Sequence, residues 1–195
     1  MADRLSVQQR HSCMSHNRSK GTKPELKLRH TLFAKGYRYR VNVRKLPGTP
    51  DIVLPKYRTV IFVNGCFWHG HKGCKYYTIP ETNHEFWVEK VHRNQERDLI
   101  KIQRLESLSW NVITVWECEL KSASFDETVT KVEAAMLEGK TKWESYQAKR
   151  RADSEFARAE KKRKDAIMAQ VLAELQEQFT ISMRIVRTSW EQAEE

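Results

Sequence analysis

Residues 66 to 74 read Cys-Phe-Trp-His-Gly-His-Lys-Gly-Cys. Thiols and imidazoles so close together are soft ligands, and Cys66, His71 and Cys74 have spacings that suit tetrahedral zinc. A fourth ligand must come from elsewhere in the chain. Cys118 is the candidate, because it follows another apolar run, Val112 to Trp116. Four protein ligands would leave no open position, so such a zinc would be structural. His69 is then left as an imidazole for proton chemistry, and Phe67 and Trp68 as two large apolar side chains on a loop. Neighbours in a strand point to opposite faces, so at least one of that pair is expected to leave the core. Cys13 fits no ligand spacing and reads as a free thiol.

A second set of residues suits harder chemistry. Asp51 follows Pro50 at the start of a short strand, and the next strand ends beside it at Val63 and Asn64. A carboxylate with a backbone carbonyl is an oxygen site for Mg2+. With Glu25 on the preceding helix and His69 past the strand end, the parts suit phosphodiester hydrolysis: a metal to polarise phosphate and a base to activate water. Alone, Asp51 would read as a turn residue after proline. The combination gives it a chemical meaning.

Several elements must position these groups. Thr22-Lys23-Pro24-Glu25 starts a helix with proline in its first turn, Leu28, Leu32 and Phe33 are its candidate buried face, and Gly36 ends it. Tyr37 to Val43 alternates apolar and polar residues and predicts a half-buried strand with a basic outer face. Asp51–Leu54 and Thr59–Val63 are strands joined by a turn. Asn83 to Leu108 predicts a long helix with a polar middle and a stripe of Phe86, Trp87, Val91, Ile100, Leu105 and Leu108. Trp110–Glu117 is a further core strand, and Phe125–Leu137 an amphipathic helix closing at Gly139. The order predicts an α/β fold, a mixed sheet flanked by helices.

Three regions are expected: a basic N-terminal arm over 1–21, an endonuclease-like domain over 22–139, and a helical C-terminal extension over 140–195. Residues 1–50 carry twelve Lys and Arg against two acids, which accounts for the whole formal charge of +10. The remainder balances. A neutral body with a basic front is the footprint of a polyanion binder, here nucleic acid. From Lys140 to about Phe179 there is no Pro or Gly and charge is dense, which predicts a long exposed helix. Its basic clusters, Lys149-Arg150-Arg151 and Lys161-Lys162-Arg163-Lys164, read as a solvated face. No apolar run is long enough to span a bilayer, and Met1–Lys20 lacks the apolar stretch of a signal peptide. The expectation is a cytosolic protein whose cysteines, Cys13 excepted, serve metal rather than disulfides.

Longer motifs carry a specific likeness. Leu-Pro-Gly-Thr-Pro-Asp (46–51), Val-Ile-Phe-Val-Asn-Gly-Cys-Phe-Trp-His (60–69), Glu-Phe-Trp-Val-Glu-Lys (85–90), Asn-Gln-Glu-Arg-Asp (94–98) and Val-Trp-Glu-Cys (115–118) occur in this order. The chain resembles the very short patch repair (Vsr) DNA mismatch endonucleases over residues of about 10 to 139. The resemblance implies a restriction-endonuclease-like fold, a PD-(D/E)xK variant in which the usual Glu-x-Lys is missing. Val63-Asn64-Gly65 indeed has neither acid nor lysine.

The resemblance also implies roles. Asp51 would bind Mg2+, with Val63 offering only its backbone carbonyl. His69 would be the general base or proton shuttle, and Glu25 and Asp98 would support the site through hydrogen bonds via water. Cys66, His71, Cys74 and Cys118 would hold zinc and pin the loop carrying His69. Met14, Phe67 and Trp68 match wedge residues that insert between base pairs beside a mismatch. Known relatives have Thr and His where this chain has Val63 and Asn64; Asn64 could still hydrogen-bond Asp98 but could not shuttle a proton. The loop also has one extra residue before Cys74. The implied activity is a Mg2+-dependent nick in duplex DNA, 5′ to the T of a T·G mismatch, by a monomer in the bacterial cytosol at the nucleoid. A MutL-like repair protein is an implied partner. The alternatives are a restriction or defence nuclease of the same fold cutting matched DNA, and a non-catalytic zinc DNA-binding module.

Overall fold

The computed structural model describes residues 20–191 together with Gln8, Gln9 and Ser12. Most of the basic arm, including Cys13 and Met14, lies outside the described residues. Helix α1, Lys23–Ala34, starts as its sequence predicts: the Thr22 hydroxyl accepts from the Glu25 backbone N–H and Pro24 sits in the first turn. Leu28 and Leu32 are fully buried. Phe33 is not; it is 56% exposed, and the Arg38 guanidinium covers its ring at 4.3 Å.

Four strands form one sheet in the order β1 (Arg40–Val41), β2 (Ile52–Leu54), β3 (Thr59–Asn64), β4 (Asn111–Trp116). The pairs β1–β2 and β2–β3 are antiparallel, and β3–β4 is parallel. The expected strand over 37–43 shrinks to two residues. Asn42 adopts φ +48°, which breaks the extended run, and Val41 is left exposed. Tyr37 and Tyr39 pack against one core cluster while Val43 packs against the other.

The two clusters lie on the two faces of the sheet, as alternation along β2 and β3 requires. Ile52, Leu54 and Ile61 join Leu28, Leu32, Val129, Val132 and Met136. Val53, Val60 and Phe62 meet Leu105. The parallel step from β3 to β4 needs a long crossover, and the chain makes it with the Cys/His loop and helix α2, His84–Ser107. Only Val91 and Leu105 of α2 are buried; Phe86, Ile100 and Leu108 of the expected stripe are about half exposed.

Helix α3 runs Phe125–Glu191 and does not close at Gly139. Gly139 does not have positive φ. It serves close approach instead: a Cβ there would come within 2.6 Å of the Asn111 side chain. Asn111 Nδ2 donates to Ala135 O at 3.0 Å, fastening the start of α3 to the sheet. Two compact units divide the chain, residues 1–144 and 145–195. In the second, the side chains of Phe156, Ile167, Val171, Leu172 and Leu175 are exposed. No helix among the described residues is long and apolar enough to cross a membrane.

Candidate active site and metal cluster

The parallel register explains the metal cluster. Asn64 pairs with Trp116, so Cys66 and Cys118, each two residues further on, leave the same edge of the sheet. His71 returns to them through a tight turn in which its N–H donates to Cys66 O at 3.0 Å. The ligand atoms of Cys66, His71, Cys74 and Cys118 all lie within 4.8 Å of one another. His71 Nδ1 is 3.6 Å from Cys66 Sγ and 3.3 Å from Cys118 Sγ. Tetrahedral bonds of about 2.0–2.3 Å put ligands roughly 3.3–3.8 Å apart, so this set fits one metal ion. The His71 ring lies flat on Trp116, with centroids 4.1 Å apart and planes 3° from parallel, which fixes its aim. Burial pushes the Cys66 thiol up to about 12, so a neighbouring cation is what would make it a thiolate.

The same loop carries His69 on its other side. His69 Nδ1 is 2.5 Å from Asp98 Oδ2, and Lys101 Nζ is 2.7 Å from Asp98 Oδ1. Burial alone would raise the Asp98 carboxyl. Hydrogen bonds from His69 and Lys101 outweigh it and hold Asp98 below the usual carboxylate range. An ionised Asp98 only accepts, so His69 donates through Nδ1–H and keeps Nε2 for another proton. His69, Asp98, Lys101 and Gly48 line an open depression of about 460 Å³. Asn64 is buried, but Asp98 is engaged by His69 and Lys101 and not by Asn64 as expected.

Asp51 stands at the start of β2, where Oδ2 accepts from the Val63 N–H at 2.9 Å. Burial is the main cause that raises its carboxyl, and nearby Glu25 adds to it; the Val63 N–H, Arg29 and Lys101 act the other way. Among the described residues no donor reaches Oδ1. A half-buried carboxylate with one free oxygen suits a hard cation. Glu25 is 3% exposed and fully engaged: Gly21 N–H and Arg29 Nη2 donate to Oε2, and the Thr22 hydroxyl donates to Oε1. Arg29 Nη2 also donates to Asp51 O at 3.0 Å, tying the Glu25 carboxylate to the Asp51 backbone.

Phe67 and Trp68 sit on a turn rather than a strand, so the opposite-face argument does not apply to them. Both are half-buried and join one aromatic cluster. Trp87 of α2 lies 5.3 Å from Phe67 and 6.1 Å from Trp68, ring to ring. Lys90 Nζ stands 5.5 Å from the Trp68 ring.

Several working residues escape a reading of the sequence alone. Asn94 Nδ2 donates to Trp68 O at 2.8 Å, and Gln95 Nε2 to His69 O and Gly70 O at 3.3 Å. They grip the loop by its carbonyls. Gly70, at φ +64°, lets α2 come this near, since a Cβ would run into Val91 and Gln95. The polar middle of α2 was the available signal. Lys101 and Arg29 were also missed, though Lys101 stands at helical spacing i+3 from Asp98.

Comparison with known proteins agrees with this geometry. The family of DNA mismatch endonuclease Vsr matches residues 2–75. A type II nicking enzyme, V.NmeAIP of Neisseria meningitidis serogroup A, is 48% identical over 122 residues, covering 63% of this chain and 86% of the relative. V.XorIIP of Xanthomonas oryzae pv. oryzae, another type II nicking enzyme, is 47% identical over 120 residues, covering 62% and 88%. The DNA mismatch endonuclease Vsr of Escherichia coli K12 is 44% identical over 114 residues, covering 57% and 72%.

Proposed function

The chain belongs to the family of Vsr DNA mismatch endonucleases and is an endonuclease; from that premise we propose that it nicks one strand of duplex DNA, 5′ to the T of a T·G mismatch, with Mg2+. The observation that carries the reading is the His69–Asp98 pair opening onto the depression. The names of the relatives, nicking enzymes and a mismatch endonuclease, support a single-strand cut at a mispair.

In this reading Asp51 and the Val63 carbonyl would hold Mg2+, which supplies polarisation of the phosphate and neutralises charge on the leaving oxygen. His69 Nε2 accepts a proton from the attacking water while Asp98 stabilises the imidazolium through Nδ1–H. Glu25, through Arg29, holds the backbone of Asp51 in place. Asn64 fills the strand end without taking part in proton transfer. Zinc in the Cys66, His71, Cys74, Cys118 cluster braces the loop and does no chemistry. Phe67 and Trp68, backed by Trp87, enter the base stack together with Met14, and a mismatch lowers the unstacking cost. The domain over 22–139 is restriction-endonuclease-like and acts as a monomer in the bacterial cytosol. The extension over 140–195 and a MutL-like protein are accessory to the cut.

The test is His69→Ala. Nicking of a T·G duplex should fall by roughly 100-fold or more while DNA affinity changes little. Equal loss of both would contradict the role given to His69.

A further inference from the structure

Lys101 pairs with Asp98 and also acts electrostatically on Asp51, and nothing in the chemistry above uses it. It projects from α2 and is 16% exposed in its side chain, as is Asp98. Three contacts determine where its ammonium goes. The nitrogen meets Asp98 Oδ1 at 2.7 Å, on the opposite oxygen from the one facing His69. It also lies 4.1 Å from the centre of the Phe62 ring on β3. Its stem passes against Gly48, where a Cβ would come within 2.6 Å of Lys101 Cδ; only glycine leaves that path open. Gly48 belongs to the loop that leads into Asp51. One lysine thus touches the loop before Asp51, the central strand and the partner of His69.

An aspartate held by histidine alone can turn about its Cα–Cβ and Cβ–Cγ bonds. With its second oxygen fixed by an ammonium, it cannot turn without breaking a charge-assisted hydrogen bond. We propose that Lys101 is a positioning residue of the nicking reaction, locking Asp98 so that His69 keeps Nε2 aimed at the DNA. The proposal rests on the nicking reading above. The catalytic advantage of a base depends on its geometry, and small displacements are costly.

The test is a double-mutant cycle on the full-length, metal-loaded protein with a T·G duplex, read as kcat, KM and DNA affinity. Lys101→Met should lower kcat by about 10-fold or more with KM and affinity within about twofold. In an Asp98→Asn background the same change should have no further effect, because Lys101 acts through Asp98. Lys101→Gln, polar but uncharged, should behave like Lys101→Met. Two kinetic results would overturn the proposal: an undiminished kcat in both single variants, or an equal further loss on Asp98→Asn, which would mean a direct contact with phosphate. A melting temperature that falls with kcat in both variants would also overturn it, as a structural role. Failure of the nicking reading itself looks different. There the wild-type protein cuts no T·G duplex, or His69→Ala cuts as well as wild type.

Discussion

Two stretches of charged helix teach opposite lessons. In the middle of α2, residues 94–101, nearly every polar side chain is put to use. Asn94 and Gln95 hold loop carbonyls, Asp98 holds His69, and Lys101 holds Asp98. Along residues 145–175 of α3 the described polar pairs run along the helix itself. Lys164 pairs with Glu160 at 2.8 Å, and Gln170 donates to Glu174 at 3.1 Å, each four residues apart and exposed. Both stretches look alike in composition. Their difference is what lies opposite: a loop with unmet backbone carbonyls in one case, water in the other.

The comparison can be broken most severely at the far side of the gripped loop. Chelation of the metal, or Cys66→Ala, should destabilise the fold by on the order of 4 kcal/mol or more, because metal binding counts toward folding. Unfolding curves with and without chelator, beside metal analysis, measure this. Unchanged melting would show that α2 alone holds the loop.

The grip itself comes next. Asn94→Ala and Gln95→Ala each leave loop carbonyls unpaired, which should cost about 1 kcal/mol of stability. They should also slow nicking on the order of 10-fold, since His69 is no longer held in line. Single-turnover cleavage and denaturant melts read the two effects separately.

Asp51 gives a smaller, signed effect. Its carboxyl is raised in the folded protein, so the folded state holds the proton longer than the unfolded one. Metal-free stability should therefore decline as pH rises from the ordinary carboxylate range through the raised value, and stay lowered above it. Asp51→Asn should remove that decline and raise the metal-free melting temperature while abolishing nicking. Asp98 runs the other way. Its carboxyl is lowered, so its contribution is present above the ordinary range and is lost as pH falls through the folded value.

The least effect belongs to the solvated stretch. Glu160→Gln breaks a pair whose side chains are largely exposed, and should change neither melting temperature nor nicking measurably. A clear loss of activity there would mean that this stretch, too, has something opposite it.

The elements were legible where local chemistry decides. Thr22, Pro24 and the short apolar runs of β2 and β3 announce themselves, and so does the Cys/His cluster, whose members lie at short spacings and at matching ends of two apolar runs. What the sequence hid depends on contacts across space. Gly139 has the look of a helix stop, yet its role is to make room for Asn111. Tyr37 to Val43 alternates as a strand should, yet one left-handed residue, Asn42, divides it between two cores. The opposite-face rule for strand neighbours would part Phe67 from Trp68, and a turn instead brings both to the same cluster with Trp87. Within the candidate site, His69 meets Asp98 and Asp51 stands beside Glu25, while Lys101, Asn94 and Gln95 were hidden because a polar residue in a helix does not say what it faces.

The most direct measurement is a strand-resolved nicking assay on one labelled duplex in two forms, with a central T·G mismatch or the matched C·G pair, each with and without Mg2+. The account predicts a single nick on the T strand, 5′ to the mispaired T, only in the mismatched duplex and only with Mg2+. Cutting of both duplexes, or metal-independent binding with no cutting, would contradict it.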